Sequence, residues 1–307
     1  MITLTEQDVR RRLLPAELIP ALESAFRDRY PHCQLPVRTH IPTKNGVFLY
    51  MACYDGLRHS LGVKMVAVND GAAQPGDHIQ ANYFLLDPRT AEPLLNLPAN
   101  YLTDLRTAAT SALATRFLAR SEARILGIFG AGRQARSHAR LLPTVRRFEK
   151  ILICSLDSAQ APAFAEEISR ELKLPATVTD AASLVTESDV ICTCTTSHQP
   201  LFDGNILRPG THINAVGAFQ PHTREVDSIC VERARLYVDT YDATLAEAGE
   251  ILIPIKEGRL TNDHIIADLH ELVSGMKPAR TRPDDITLFK SVGCALEDLV
   301  AAELLLR

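Results

Sequence analysis

Arg124-Ile-Leu-Gly127-Ile-Phe-Gly130-Ala131-Gly132-Arg133-Gln134-Ala135 is the stretch on which the fold turns. Residues 124–129 form a short apolar run with the character of a buried strand, and the residues after Ala135 take up helical spacing. Between strand and helix, Gly130 and Gly132 fill the first two positions of a GxGxxG/A fingerprint and Ala135 the third. Gly130 permits a tight turn, the missing side chain of Gly132 lets a pyrophosphate touch backbone N–H groups, and a small residue at 135 lets the helix lie against the strand. Ala131, Arg133 and Gln134 lie in the same turn and are expected to contact the dinucleotide with the two glycines.

Downstream, strand candidates fall at 124–129, 150–154, 176–179, 189–195, 211–216 and 235–239, with helical stretches at 133–143, 159–173, 181–187 and 224–233. Short apolar strands alternating with helices predict an α/β, doubly wound parallel Rossmann sheet. The second strand, Lys150-Ile-Leu-Ile-Cys-Ser-Leu-Asp157, ends on an acid and no base. A carboxylate there accepts the ribose hydroxyls and repels a 2′-phosphate, which favours NAD over NADP. Asp157 could instead cap the helix that begins near Ser158.

Upstream of residue 120 the rhythm is mixed. Thr5 followed by Asp8 reads as a helix entry, Leu13–Phe26 as a helix, and 46–52, 61–68 and 79–86 as strands, the last running into the turn Asp87-Pro-Arg-Thr90. Asp104–Arg120 reads as one long helix rich in small residues. Asp284–Asp285 reads as a helix cap, and Thr287–Arg307 as a further amphipathic helix.

The 307 residues carry a formal charge of −4 and are 46% hydrophobic, enough for about two domains with full cores. The longest cationic run is Arg10-Arg11-Arg12, no match for a phosphate backbone or an anionic membrane, so neither nucleic acid nor membrane is expected as a partner. No apolar run nears the roughly 18 residues that cross a bilayer. The seven cysteines are scattered, not spaced as a framework, and Cys192-x-Cys194 suits neither a redox CxxC nor a zinc knuckle. Reduced thiols in a cytoplasmic protein without a signal peptide are the expectation, and no metal site is expected.

Three cations interrupt apolar sequence in the first third: Arg38 after Leu35-Pro-Val, Lys64 within Leu61-Gly-Val-Lys-Met-Val, and Arg106 within Leu102-Thr-Asp-Leu-Arg-Thr-Ala-Ala. One such cation alone is ordinarily solvated or salt-bridged. Lys64 is harder to account for, since apolar flanks make an unpaired ammonium costly. Together the three could bind a carboxylate.

Those segments, with Gly130-Ala-Gly132, Thr195-Thr-Ser197, Ala215-Val216-Gly217, Ala248-Gly-Glu250 and Ser291-Val-Gly293-Cys-Ala-Leu-Glu-Asp, resemble the ornithine cyclodeaminase and mu-crystallin family over nearly the whole chain. The resemblance implies that Arg38, Lys64 and Arg106 hold a substrate α-carboxylate, with Lys64 catalytic and nearest the reacting carbon. It implies that Thr107, Thr195, Ser197, Val216, Ser291 and Gly293 contact the cofactor or border the cleft. It also implies a split architecture: residues 1–115 with 290–307 form an α+β substrate-binding and dimerisation domain, and 116–289 form the inserted nucleotide domain.

One departure redirects the functional expectation. The cyclodeaminase aspartate lies two residues beyond the glycine that matches Gly217, where this chain has Phe219, which cannot act as a base. Glu225 and Asp227 fall in what reads as the start of the next helix. What remains suits NAD(P)H-dependent reduction of a C=N bond beside a carboxylate, as in Δ1-pyrroline-2-carboxylate or Δ1-piperideine-2-carboxylate, by a homodimer. Alanine dehydrogenase or another amino-acid or N-alkyl-amino-acid dehydrogenase is the alternative, followed by cyclodeaminase activity and by ligand binding without turnover. His198, His212 and His222 read as loop or capping residues.

Overall fold

The computed structural model describes residues 1–69, 79–157 and 159–306, so Ser158 and Arg307 lie outside the described residues. The chain divides into two compact units, Met1–Thr110 with Gly293–Arg307, and Ser111–Val292.

The first unit opens with β1 (Ile2–Thr3), α1 (Glu6–Arg12) and α2 (Pro15–Ser24). Thr5 Oγ1 accepts from Asp8 N, and an Asp8 carboxylate oxygen accepts from Thr5 N, so the helix entry is a reciprocal capping box. Then come β2 (Cys33–Gln34), β3 (Thr39–Thr43), β4 (Gly46–Asp55), β5 (Ser60–Asn69), β6 (Ile79–Leu86) and β7 (Pro93–Pro98). Residues 39–43 and 93–98 carry prolines, which masked both strands in the sequence. The sheet runs β1-β7-β6-β5-β4-β2, with β3 also on β4. Its central strands are antiparallel and alternate: Gly62, Lys64 and Val66 are buried, while Val63 and Met65 on the other face are half-buried. The long helix α3 spans Asn100–Leu118, four residues earlier at its start than its small-residue composition suggested, and the division between units falls within it.

The second unit alternates as a doubly wound chain: β8 (Ile125–Phe129), α4 (Arg133–Leu141), β9 (Lys150–Cys154), α5 (Gln160–Leu172), β10 (Ala176–Val178), α6 (Ala181–Glu187), β11 (Val190–Thr193), β12 (His212–Ala215), α7 (Ser228–Arg233), β13 (Ala234–Val238), α8 (Tyr241–Glu247), α9 (Gly249–Lys256), β14 (Ile265–Asp268), α10 (Leu269–Val273) and β15 (Ile286–Lys290). These strands form one parallel sheet in the order β10-β9-β8-β11-β12-β15-β13-β14, so the strand order reverses between β8 and β11. One apolar layer holds Leu126, Ile128, Ile151 and Phe164, and the other Ile191, Ile213, Leu236 and Leu288.

Three expectations are corrected. Thr287–Lys290 is not helix but part of β15, buried at every position and paired between β12 and β13. Five apolar-dominated residues cannot be assigned by periodicity alone, and the helix, α11 (Ala295–Leu304), starts only after Gly293 turns the chain at φ +94°. Asp285 caps no helix; its carboxylate accepts from Thr281 N, Thr281 Oγ1 and Arg282 N and closes a turn ahead of β15. Residues 224–227 are not helical, since Asp227 Oδ1 caps α7 by accepting from Cys230 N at 2.7 Å.

In the first unit, α11 packs on β4, β5 and β6. Gly62 makes this possible, because a Cβ there would meet Leu299 of α11 and the Tyr83 ring.

Candidate functional site

In the second unit the candidate residues gather at the carboxyl ends of the strands. After β8 the chain turns at Gly130, whose φ of +105° suits glycine, and a Cβ there would lie 2.5 Å from the Cys194 carbonyl oxygen. Gly132 begins α4 with no side chain capping it, and a Cβ there would meet nothing within 4 Å. Open space in front of uncapped N–H groups at a helix N-terminus, with exposed Arg133 as the first helical residue, fits the diphosphate of a dinucleotide. Ala131 and Ala135 are buried.

The other candidates of this unit follow the same strand ends. Asp157 lies beyond β9, where its carboxylate accepts from Ala159 N, Gln160 N and Gln160 Nε2; the backbone bond from Gln160 leads in holding its pKa below the usual carboxylate range. These bonds close the turn into α5, and the exposed carboxylate keeps acceptor capacity for a ribose hydroxyl. Thr195 and Ser197 follow β11, and Val216 follows β12. Ser291 follows β15, but its hydroxyl donates to buried Asp239 at 3.1 Å and serves the fold. Thr107 and Gly293 belong to the first unit and are not grouped with the nucleotide loop.

A buried acid that sequence reasoning assigned no role organises these ends. Glu225 is fully buried, and its carboxylate accepts from Thr193 Oγ1, Thr195 N and Thr195 Oγ1 at 2.7 Å and from Gly217 N at 2.6 Å. Burial pushes its pKa up, opposed by Lys290 and the threonine hydroxyls. Lys290 Nζ lies 3.1 Å from Glu250 Oε2, and Glu250 Oε1 accepts from Glu225 N. A lysine inside an apolar strand was the available signal, as it was for Lys64. Phe219 packs on the second core layer.

In the first unit Lys64 and Arg106 come together on two acids of α11. Lys64 Nζ lies 2.8 Å from both oxygens of Asp298. Arg106 donates Nε to Asp298 at 2.9 Å and Nη1 to Glu297 at 2.6 Å. All four side chains are nearly or wholly buried. Burial lowers the Lys64 pKa, Arg106 and Arg38 lower it further and Asp298 opposes them, leaving it at about 8. Burial works against the Arg106 charge too, but Asp298 and Glu297 outweigh it, so the guanidinium stays protonated. Arg38 is half-buried and close enough for its charge to act on Lys64. Across these five groups three cations face two carboxylates.

His212 is corrected: it is neither loop nor cap but the first residue of β12, fully buried, with Nδ1 3.0 Å from Thr287 Oγ1 and its pKa pushed down to about 3 chiefly by burial. His198 and His222 are exposed. All seven cysteines are free thiols, and Cys192 and Cys194 pack in one core layer. Among the described residues no helix is long and apolar enough to cross a membrane, and no group of three potential ligands could hold a metal ion.

Comparison with known proteins adds four findings. The model of the ornithine cyclodeaminase/mu-crystallin family matches residues 1–306. Delta(1)-pyrroline-2-carboxylate reductase of Bacillus cereus is 37% identical over 276 residues, covering 88% of this chain and 84% of the relative. Ketimine reductase mu-crystallin of Rattus norvegicus is 38% identical over 295 residues, covering 94% and 90%. The structure of Thermococcus litoralis Delta(1)-pyrroline-2-carboxylate reductase in complex with NADH and L-proline superposes with a TM-score of 0.94 at 37% identity, covering 99% of this chain and 96% of that one.

Proposed function

The chain belongs to the ornithine cyclodeaminase/mu-crystallin family, and from that membership we propose that it is a nicotinamide-dependent reductase of cyclic ketimine carboxylates. The substrates would be Δ1-pyrroline-2-carboxylate and its six-membered homologue Δ1-piperideine-2-carboxylate, and the products L-proline and L-pipecolate. The observation that carries this reading is the buried cluster of Lys64 and Arg106 on Glu297 and Asp298, with Arg38 beside it. Buried cations gathered in this way support recognition of a carboxylate.

The residues divide the work as follows. Arg106 is held by two of its nitrogens and cannot swing, so its remaining Nη2, with Arg38, orients the carboxylate through charge-assisted bonds. Lys64, charged at neutral pH but with its pKa drawn down to about 8, holds a transferable proton at Nζ for the imine nitrogen. A bound nicotinamide supplies the hydride. Gly130, Gly132, Arg133 and the first turn of α4 would hold its diphosphate, and Asp157 at the end of β9 supports NADH over NADPH.

Two further observations support the reading. Phe219 occupies the register of the cyclodeaminase aspartate, and the nearest acid, Glu225, already accepts four hydrogen bonds and has no capacity left to act as a base. The sheet face opposite α11 carries Phe48, Tyr50, Val63, Met65 and Phe84, all at least partly exposed, which supports pairing of two copies through the first unit.

Purified protein should oxidise NADH with either cyclic imine, at a kcat/KM at least tenfold above that with NADPH. Turnover confined to pyruvate plus ammonia would replace this reading with an amino-acid dehydrogenase. Release of ammonia from ornithine without net NADH consumption would reinstate the cyclodeaminase.

A further inference from the structure

We propose that Glu225 is a positioning residue for the dinucleotide, a role that rests on the cofactor reading above. Its one carboxylate ties together the carboxyl ends of β11 and β12. Oε1 takes both the N–H and the hydroxyl of Thr195, and Oε2 takes the Thr193 hydroxyl and the Gly217 N–H. Each oxygen thus faces one backbone N–H, which can only donate, and one threonine hydroxyl, an arrangement suited to a pair of acceptors.

The clamp reaches the phosphate turn through direct packing. At Gly130 a Cβ would lie 2.5 Å from the Cys194 oxygen and 3.5 Å from Thr195 Cγ2, so the turn after β8 rests on the very backbone that Glu225 fixes. Gly217 shows how closely the parts are fitted, because a Cβ there would sit 2.2 Å from the Thr195 oxygen and 2.5 Å from Glu225 Oε1. Behind the clamp, Glu250 accepts from Glu225 N, and Lys290 bridges Glu250 Oε2 to the Ala218 carbonyl at 2.5 Å. The three ionic side chains are fully buried, and Glu225 ties β11, which borders the point where the strand order reverses, to its neighbour β12. A doubly wound sheet receives its ligand at such a point.

Glu225→Gln keeps the shape but turns one acceptor into a donor, so two of the four bonds meet an N–H. The native chain and Glu225→Gln should be compared by titration of NADH fluorescence and by steady-state kinetics, with circular dichroism to report folding. The expected result is a folded variant whose NADH Kd and NADH KM rise at least tenfold, while the imine KM at saturating NADH stays within twofold. A purely structural role would lower thermal stability without that split. A folded Glu225→Gln that binds NADH within twofold of the native chain overturns the proposal. Should Glu225→Gln not fold, Thr193→Val, which removes one buried hydroxyl from the clamp at nearly constant shape, should weaken NADH at least threefold; an unchanged Kd there overturns it equally. Failure of the native chain to bind NADH would instead overturn the cofactor reading on which the proposal stands.

Discussion

Lys64 sits 1% exposed with an acid on one side and two arginines within electrostatic reach. Its ammonium is drawn down to about 8 by burial first and by Arg106 next, against about 10.4 for a free lysine. Below pH 8 the folded and unfolded chains both hold this proton. Between 8 and the free value the unfolded chain holds more, so this group's contribution to stability improves as pH rises while the charged, proton-bearing form disappears. Activity and stability should thus part company: kcat/KM for the imine is flat from about pH 6 to 7.5 and falls roughly tenfold per unit above about 8, and in Lys64→Arg, which does not titrate, that alkaline limb is absent from the pH–rate profile. An alkaline limb retained in Lys64→Arg would remove Lys64 from the chemistry. Arg38, Lys64 and Arg106 were legible in the sequence because cations in apolar strings demand partners. The partners of Lys64 and Arg106 were not, since Glu297 and Asp298 stand 191 and 192 residues from Arg106 and only the fold reveals the pairing.

Among the elements, the β8–α4 turn was the most legible, because three small residues between a strand and a helix admit few other geometries. Its two glycines make separable predictions. A side chain at Gly132 would enter open space, so Gly132→Val should leave thermal stability nearly unchanged and raise the NADH Kd at least tenfold by filling the diphosphate position. Gly130→Ala would put a Cβ against the Cys194 carbonyl at a φ of +105°, so it should lower Tm before any ligand is added. Thermal melts with and without NADH distinguish the two; equal losses of Tm in both variants would contradict the assignment. β15 was the least legible element, since Ile286–Lys290 owes its place to parallel neighbours on both sides and not to any period of its own. Lys290 within it found its acid in α9, which no local pattern foretold.

At the scale of the whole molecule the antiparallel sheet of the first unit has two unlike faces, one under α11 and one carrying Tyr50, Val63 and Met65. Met65→Arg on the second face should convert the dimer proposed above to a monomer in analytical ultracentrifugation while circular dichroism stays native; an unchanged sedimentation coefficient would contradict pairing through this face. The division of the chain also bears on its synthesis. Residues 111–292 are contiguous and can close their core as they leave the ribosome, whereas Lys64 and Arg106 must wait for residues 297 and 298. Until those acids emerge, two cations have no counter-charge to follow them into a dry core. A message cut short before codon 297 would thus yield a chain in which the inserted unit resists proteolysis and the first unit is digested, so completion of the first unit reports that translation has passed that codon.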